Sequence, residues 1–128
     1  MSRILIIDDD RTWVELLSSR LRGEGFQVGV AYDAMQAKMV ALKTPPDAIV
    51  LDIRMPGGNG VETLHKFRSS TKTAGLPIVI VSGQQDPDLE KTLRQAGADA
   101  FIPKPTTWTR VHKTLQILLK KVSPIPDA

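Results

Sequence analysis

The apolar residues of this chain fall into short unbroken runs, separated by stretches in which they recur every three or four positions. Ala48, Ile49, Val50 and Leu51 form a run with no polar alternation, the pattern of a strand covered on both faces of a parallel sheet. Residues 3 to 8 (Arg-Ile-Leu-Ile-Ile-Asp) and 76 to 81 read the same way, the latter ending in Ser82-Gly83. Residues 26 to 32 alternate in strand fashion, and residues 99 to 103 (Asp-Ala-Phe-Ile-Pro) supply a fifth strand, followed by Lys104-Pro105.

Helical spacing fills the intervals. Val14, Leu17 and Leu21 lie on one face behind a capping Asp10, and Gly23 and Gly25 stop that helix. Asp33 caps a second helix through Ala34, Met35, Ala37, Lys38, Met39, Ala41 and Leu42, with Met35 and Met39 read as packing residues and Pro45-Pro46 as its end. A third helix spans Gly60 to Ser70, turning Val61, Leu64 and Phe67 inward. Asp86-Pro87, a capping acid before proline at the first helical position, starts a fourth that runs to Gly97. Thr106 or Thr107 caps the last helix, which carries Trp108, Val111, Leu115, Leu118 and Val122 on one face. Ile117 falls among Arg110, Lys113 and Lys121 on the opposite face.

Five strands alternating with five helices imply a doubly wound α/β fold, flavodoxin-like, with a parallel sheet of order 2-1-3-4-5. The expected organisation is one domain over residues 1–122, followed by a tail or the start of a linker at 123–128.

Composition narrows the function. With no cysteine among 128 residues, disulfides, thiolate metal sites and thiol catalysis are excluded. No apolar run approaches the ~18 residues of a membrane span, and the run from Ile4 to Ile7 is too short for a signal-peptide core. The expectation is a cytoplasmic protein with no membrane contact. The net charge of +3 and pI near 9.4 come from basic residues scattered along the chain, with no helix-turn-helix or aromatic RNA-binding motif, so direct nucleic-acid binding is not expected.

In a sheet of order 2-1-3-4-5, ligands bind where the first and third strands part. Asp8, Asp9 and Asp52 then converge at one lip, with Ser82 and Lys104 on neighbouring strand ends. Two unit charges ~4 Å apart repel by about 4 kcal/mol at an effective dielectric near 20, so such a cluster calls for a cation. Hard oxygen ligands without histidine or cysteine favour Mg²⁺, which keeps several waters and shares sites with phosphate. A carboxylate there can attack phosphorus to give an aspartyl phosphate. Lys104 can offer a positive charge to a phosphoryl oxygen and Ser82 a hydroxyl donor.

Taken singly, each of these residues has a plainer reading. The acids at 8 to 10 could cap a helix, Asp52 could be a turn residue, Lys104 a solvated strand end and Ser82 a turn hydroxyl. His65 and His112 read as surface residues, and Trp108 as core or boundary packing.

In combination, Ile-Ile-Asp8-Asp9, Val-Leu-Asp52-Ile-Arg-Met-Pro, Ile-Val-Ser82-Gly and Phe-Ile-Pro-Lys104-Pro resemble the receiver domain of two-component response regulators, over residues 3 to 122. The resemblance implies that Asp52 is the phosphoacceptor for the phosphohistidine of a sensor histidine kinase or phosphotransfer protein. It implies Mg²⁺ held directly by Asp9 and Asp52, by Asp8 largely through water, and by the backbone carbonyl of Arg54. Ser82 and Lys104 would hold phosphoryl oxygens, and the Lys104-Pro105 bond would be cis. Phosphorylation would draw Ser82 toward the phosphate, let Phe101 turn inward and change the surface of residues 87–121, read by a downstream effector or output domain. A homodimer through that surface stays open. Such a domain is not an enzyme beyond catalysing its own phosphorylation and dephosphorylation.

The chain departs from the common family pattern in places. Ser82 stands where threonine is commoner, Phe101 where tyrosine is frequent, and residues 57 to 60 are glycine-heavy. Arg54 and Gln84 occupy positions that in this family influence the lifetime of the acyl phosphate. Two other readings remain open. Asp8-Asp9-Asp10-Arg11-Thr12 also fits the start of a haloacid-dehalogenase-like phosphatase with Asp8 as nucleophile, but only Asp127 follows Lys104 where that family needs an acidic pair. The third reading is a phosphorylation-independent interaction module.

Overall fold

Each unbroken apolar run becomes a strand covered on both sides. The computed structural model describes residues 2–55, 58–83 and 87–122, without the side chains of 54, 55, 58, 59, 121 and 122. The strands are β1 (Arg3–Ile7), β2 (Gln27–Ala31), β3 (Ala48–Leu51), β4 (Arg54–Met55), β5 (Gly58–Asn59), β6 (Ile78–Ser82) and β7 (Ala100–Pro103). The helices are α1 (Arg11–Gly23), α2 (Ala34–Lys43), α3 (Gly60–Ser69), α4 (Pro87–Gln95) and α5 (Trp108–Val122). Five strands pair in parallel in the order β2-β1-β3-β6-β7, which is the expected 2-1-3-4-5. Among the described residues no helix is long and apolar enough to cross a membrane.

Successive strand residues point to opposite faces, and the sheet divides its side chains between two cores. Leu5, Ile7, Ile49, Leu51, Ile78 and Ile80 pack under α2, α3 and α4, against Ala37, Ala41, Leu64, Phe67 and Leu93. Ile4, Ile6, Val50, Val79 and Val81 pack under α1 and α5, against Val14, Leu17, Leu21, Val111 and Leu115. Burial on both faces is why these strands lack polar alternation.

Helix starts follow the local signals. The Asp10 carboxylate accepts from the backbone N–H of Trp13 at 3.2 Å, and that of Asp33 from Gln36 at 2.8 Å. Thr107, rather than Thr106, caps α5, its hydroxyl accepting from the N–H of Arg110 at 3.3 Å. Beyond α1, Gly25 takes φ +96°, which other residues adopt only with strain. The cap expected of Asp86 and the tail expected at 123–128 lie outside the described residues.

Three features differ from the sequence reading. The turn-rich stretch after Asp52 contains a small antiparallel pair, β4 with β5, in which Arg54 faces Asn59 and Met55 faces Gly58. Strands this short leave no alternation in the sequence. Second, α2 turns its small side chains inward. Ala37 and Ala41 are buried, whereas Met35, Met39 and Leu42 stand 74%, 64% and 52% exposed. Burying the methionines would have carried Lys38 and Lys43 toward the core, where an unpaired charge is costly. Third, His112 is partly buried among aromatics, edge-on to Phe26 with ring centroids 5.7 Å apart and stacked on Trp108 at 5.9 Å. His65 and Ile117 are exposed as expected, and Trp108 sits at the core boundary.

The N-terminal ends of β6 and β7 are tied together by Arg68, near the end of α3. Its guanidinium donates to the carbonyl of Gly97 at 2.6 and 3.0 Å, to those of Leu76 at 2.6 Å and Ala74 at 3.0 Å, and to the Asp99 carboxylate at 2.9 Å. The same Asp99 oxygen accepts the N–H of Ile78 at 2.8 Å. Gly97 has φ +109°, and a Cβ there would come within 2.8 Å of Arg68 Nε. This latch takes up the carbonyl of Leu76, and β6 opens at Ile78 rather than at residue 76.

Candidate functional site

Side-by-side placement of β1 and β3 brings the acids at their ends to one lip. The ladder continues past both strands: the N–H of Asp8 donates to Ala31 at 3.1 Å, and that of Asp52 to Ile7 at 2.8 Å. Asp8 and Asp52 are buried and Asp9 is exposed. A carboxylate oxygen from each of Asp8, Asp9 and Asp52 lies within 4.8 Å of the others. The expected convergence of these acids is present.

Lys104 joins them from the end of β7. Its Nζ donates to Asp8 Oδ2 at 2.8 Å, while Asp8 Oδ1 accepts the N–H of Asp10 at 2.9 Å. Burial works to lower the pKa of Lys104, but the hydrogen bond to Asp8 and the charges of Asp8, Asp52 and Asp10 outweigh it, so the group sits above the ordinary lysine value. Lys104 is thus held firmly as a cation.

Ser82 ends β6, fully buried and in register with Pro103, and its carbonyl accepts the N–H of Lys104 at 2.8 Å. The Lys104-Pro105 bond is cis, as the resemblance implied. Phe101 is paired with Ile80 across the sheet and partly buried. With Pro87, Glu90, Lys91, Arg94 and Pro103 it lines an open groove of about 770 Å³ beside α4. Arg54 lies two residues beyond Asp52, at the start of β4. Gln84 falls outside the described residues.

Gly60, the last glycine in the stretch 57 to 60 and the start of the third helix in the sequence reading, begins α3 and has a specific task there. Its N–H donates to the carbonyl of Ile53 at 3.0 Å, and a Cβ on it would lie 2.5 Å from Ile53 Cα and 2.8 Å from that carbonyl oxygen. The start of α3 therefore closes directly against the residue after Asp52, which only glycine permits. The sole signal in the sequence is a glycine at the first position of a helix.

Chemically, the lip presents hard oxygen donors in a cluster of three carboxylates facing one ammonium among the described side chains. That donor set suits a small divalent cation with oxygen preference and lacks the imidazole or thiolate of a zinc or copper site. A carboxylate beside a fixed cation and a buried hydroxyl can also accept and hold a phosphoryl group.

Comparison with known proteins agrees with this geometry. The sequence profile of the response regulator receiver domain matches residues 4–116. The chain is 33% identical over 126 residues to the response regulator MprA of Mycobacterium avium, covering 98% of this chain and 54% of that protein. It is 37% identical over 103 residues to the DNA-binding response regulator MtrA of Mycolicibacterium paratuberculosis, covering 80% of this chain and 44% of that one. The chain thus spans about half the length of these curated relatives. Among solved structures, the chemotaxis protein CheY4 of Vibrio cholerae superposes with a TM-score of 0.87 at 27% identity, over 92% of this chain and 98% of that one. A CheY-like receiver domain protein of Methanospirillum hungatei gives 0.89 at 26% identity, over 94% and 95%. On its sheet order, its acidic lip and a profile match across most of its length, the chain belongs to the receiver domains of two-component response regulators.

Proposed function

We propose that this domain is a phosphorylation-driven signalling switch in which Asp52 accepts a phosphoryl group from the phosphohistidine of a sensor histidine kinase or phosphotransfer protein. The single observation that carries this reading is the gathering of Asp8, Asp9 and Asp52 within 4.8 Å at the end of the sheet, with Lys104 bonded to Asp8. Asp9 and Asp52 would hold Mg²⁺ directly, Asp8 largely through water, and the Arg54 carbonyl would complete the protein ligands. When bound, the ion supplies positive charge that draws electron density from the transferring phosphoryl group.

The chain's own residues do the rest. A carboxylate oxygen of Asp52 attacks phosphorus as the bond to the histidine nitrogen breaks. Lys104, kept cationic by its acidic neighbours, exchanges its contact with Asp8 for a phosphoryl oxygen, forming a short charge-assisted bond. Ser82 donates its hydroxyl to another oxygen, and Phe101 moves into the space this opens. The phosphate adds about −1.5 to −2 charge and shifts the population only because it binds the rearranged state better.

The surface of residues 87–121 would carry the change to an effector or output domain, or to a second copy of the chain. We place the receiver domain at residues 1–122, with 123–128 a tail or linker start. DNA binding is a property named for MtrA, of which this chain matches less than half, and no direct nucleic-acid contact is proposed for these residues. The domain would catalyse only its own phosphorylation and dephosphorylation.

Incubation with acetyl phosphate, or with beryllium fluoride, in the presence of Mg²⁺ should modify or saturate a single side chain, and Asp52→Asn should abolish it. Phosphate found on Asp8 would favour the phosphatase reading. No reaction in the wild type would favour a phosphorylation-independent interaction module.

A further inference from the structure

The exposed apolar residues of α2 have no part in the phosphoryl chemistry, and they form a continuous stripe. Five large apolar side chains stand exposed among the described residues, and Met35, Met39 and Leu42 belong to this one helix, while Leu16 and Ile117 are isolated on α1 and α5. Positions separated by four and three residues stack on one face, so the stripe is about 10 Å long at 1.5 Å rise per residue. Single exposed apolar residues are ordinary, but contiguous patches mark contact surfaces.

Charge defines what fits. At 100° per residue, Lys38 lies on one side of the stripe and Lys43 on the other, and both are exposed. The helix contains no acid, and Asp33 before it is already engaged in capping Gln36 at 2.8 Å. A two-fold pairing of α2 with a second copy would gather Lys38 and Lys43 of both molecules with no carboxylate on the helix to offset them. A lipid surface is also a poor match. Each lysine contributes only about 1 kcal/mol near an anionic leaflet, and polybasic lipid sites cluster some 4–8 cations.

We propose that the Met35, Met39 and Leu42 stripe of α2 is a docking surface for an amphipathic helix of a partner protein whose apolar side is bordered by aspartate or glutamate. Methionine side chains adapt readily to a partner's shape, and the lysines set its charge and register. α2 packs beside β2 at one edge of the sheet, whereas β7, which lies within residues 87–121, forms the other edge. A partner on α2 therefore leaves the proposed readout surface open, and the docking does not depend on phosphorylation.

The test uses the whole 128-residue chain and two synthetic helical peptides sharing one leucine stripe, bordered by glutamate in the first and by lysine in the second. Amide chemical shifts followed during titration should move along Ala34–Lys43 with the glutamate peptide. The lysine peptide should bind at least about tenfold more weakly, a difference of ~1.4 kcal/mol. Met39→Glu should weaken the glutamate peptide by a similar factor, and the double change Lys38→Glu with Lys43→Glu should reverse the preference. Each variant needs an unchanged melting midpoint; should Met39→Glu unfold, Met39→Gln takes its place. Equal binding of the two peptides, or shifts centred on α4 instead of α2, would overturn the proposal. So would co-sedimentation with phosphatidylserine vesicles that Met39→Glu abolishes, if the glutamate peptide leaves α2 unmoved.

Discussion

At the N-terminal ends of β6 and β7, the Arg68 guanidinium meets the carbonyls of Gly97, Leu76 and Ala74 and the carboxylate of Asp99, and Asp99 in turn holds the N–H of Ile78. At the C-terminal ends of β1 and β3, three carboxylates crowd within 4.8 Å and Lys104 is bonded to Asp8. Both regions join charged side chains to strand ends. In the first, donors and acceptors match and the cluster closes the fold. In the second, negative charge exceeds positive among the described side chains, so the carboxylates are left without full compensation. Departures from local satisfaction are expected where a protein acts, and the carboxylate cluster at one end of the sheet is one of them.

Removing Arg68 should do the most damage. Arg68→Ala leaves carbonyls and a carboxylate short of partners in a region where the arginine is only 19% exposed, at a cost of about 2–4 kcal/mol. Urea unfolding should show the midpoint falling without a change in slope, and a loss under about 0.5 kcal/mol would mean that the latch is redundant. Gly60→Ala should come next, at about 1–3 kcal/mol, since a Cβ would press on the backbone of Ile53. At the acidic lip the sign should invert. Asp52→Ala in metal-free buffer relieves repulsion and should raise stability by about 1 kcal/mol. Added Mg²⁺ should then stabilise the wild type through binding to the folded state and have little effect on the variant, as melting curves with and without the ion would reveal.

The smallest effect is a pH dependence. The folded state raises the pKa of Lys104, so its contribution is complete below the unfolded lysine value of about 10.4 and is lost as pH rises through the higher folded value. The stability difference between the wild type and Lys104→Met should therefore be flat at neutral pH and shrink above about pH 10.4. A difference that instead shrank between neutrality and that point would contradict the raised value.

Strands and helix starts were legible in the sequence because their causes are local. An apolar run such as Ile49-Val50-Leu51 has few other uses in a chain this size, and Asp10 and Asp33 bond to N–H groups only three residues away. The acidic lip was legible for a related reason: once the strand order follows from alternating strands and helices, the residues ending each strand are placed by topology alone. The arginine latch was not legible, because Arg68 reaches Gly97 and Asp99 across 29 and 31 positions and nothing nearby in sequence announces them.

The chain by itself determined which segments fold into strands and helices and which acids stand at the strand ends, since backbone periodicity and short-range capping set both. The tertiary structure alone decided that the alanines of α2 face the sheet while its methionines face water, that His112 lies against Phe26 and Trp108, and that Gly60 seats against Ile53. Those outcomes depend on how closely packed elements approach, a distance set by the competition of side-chain volumes and charges across the whole core.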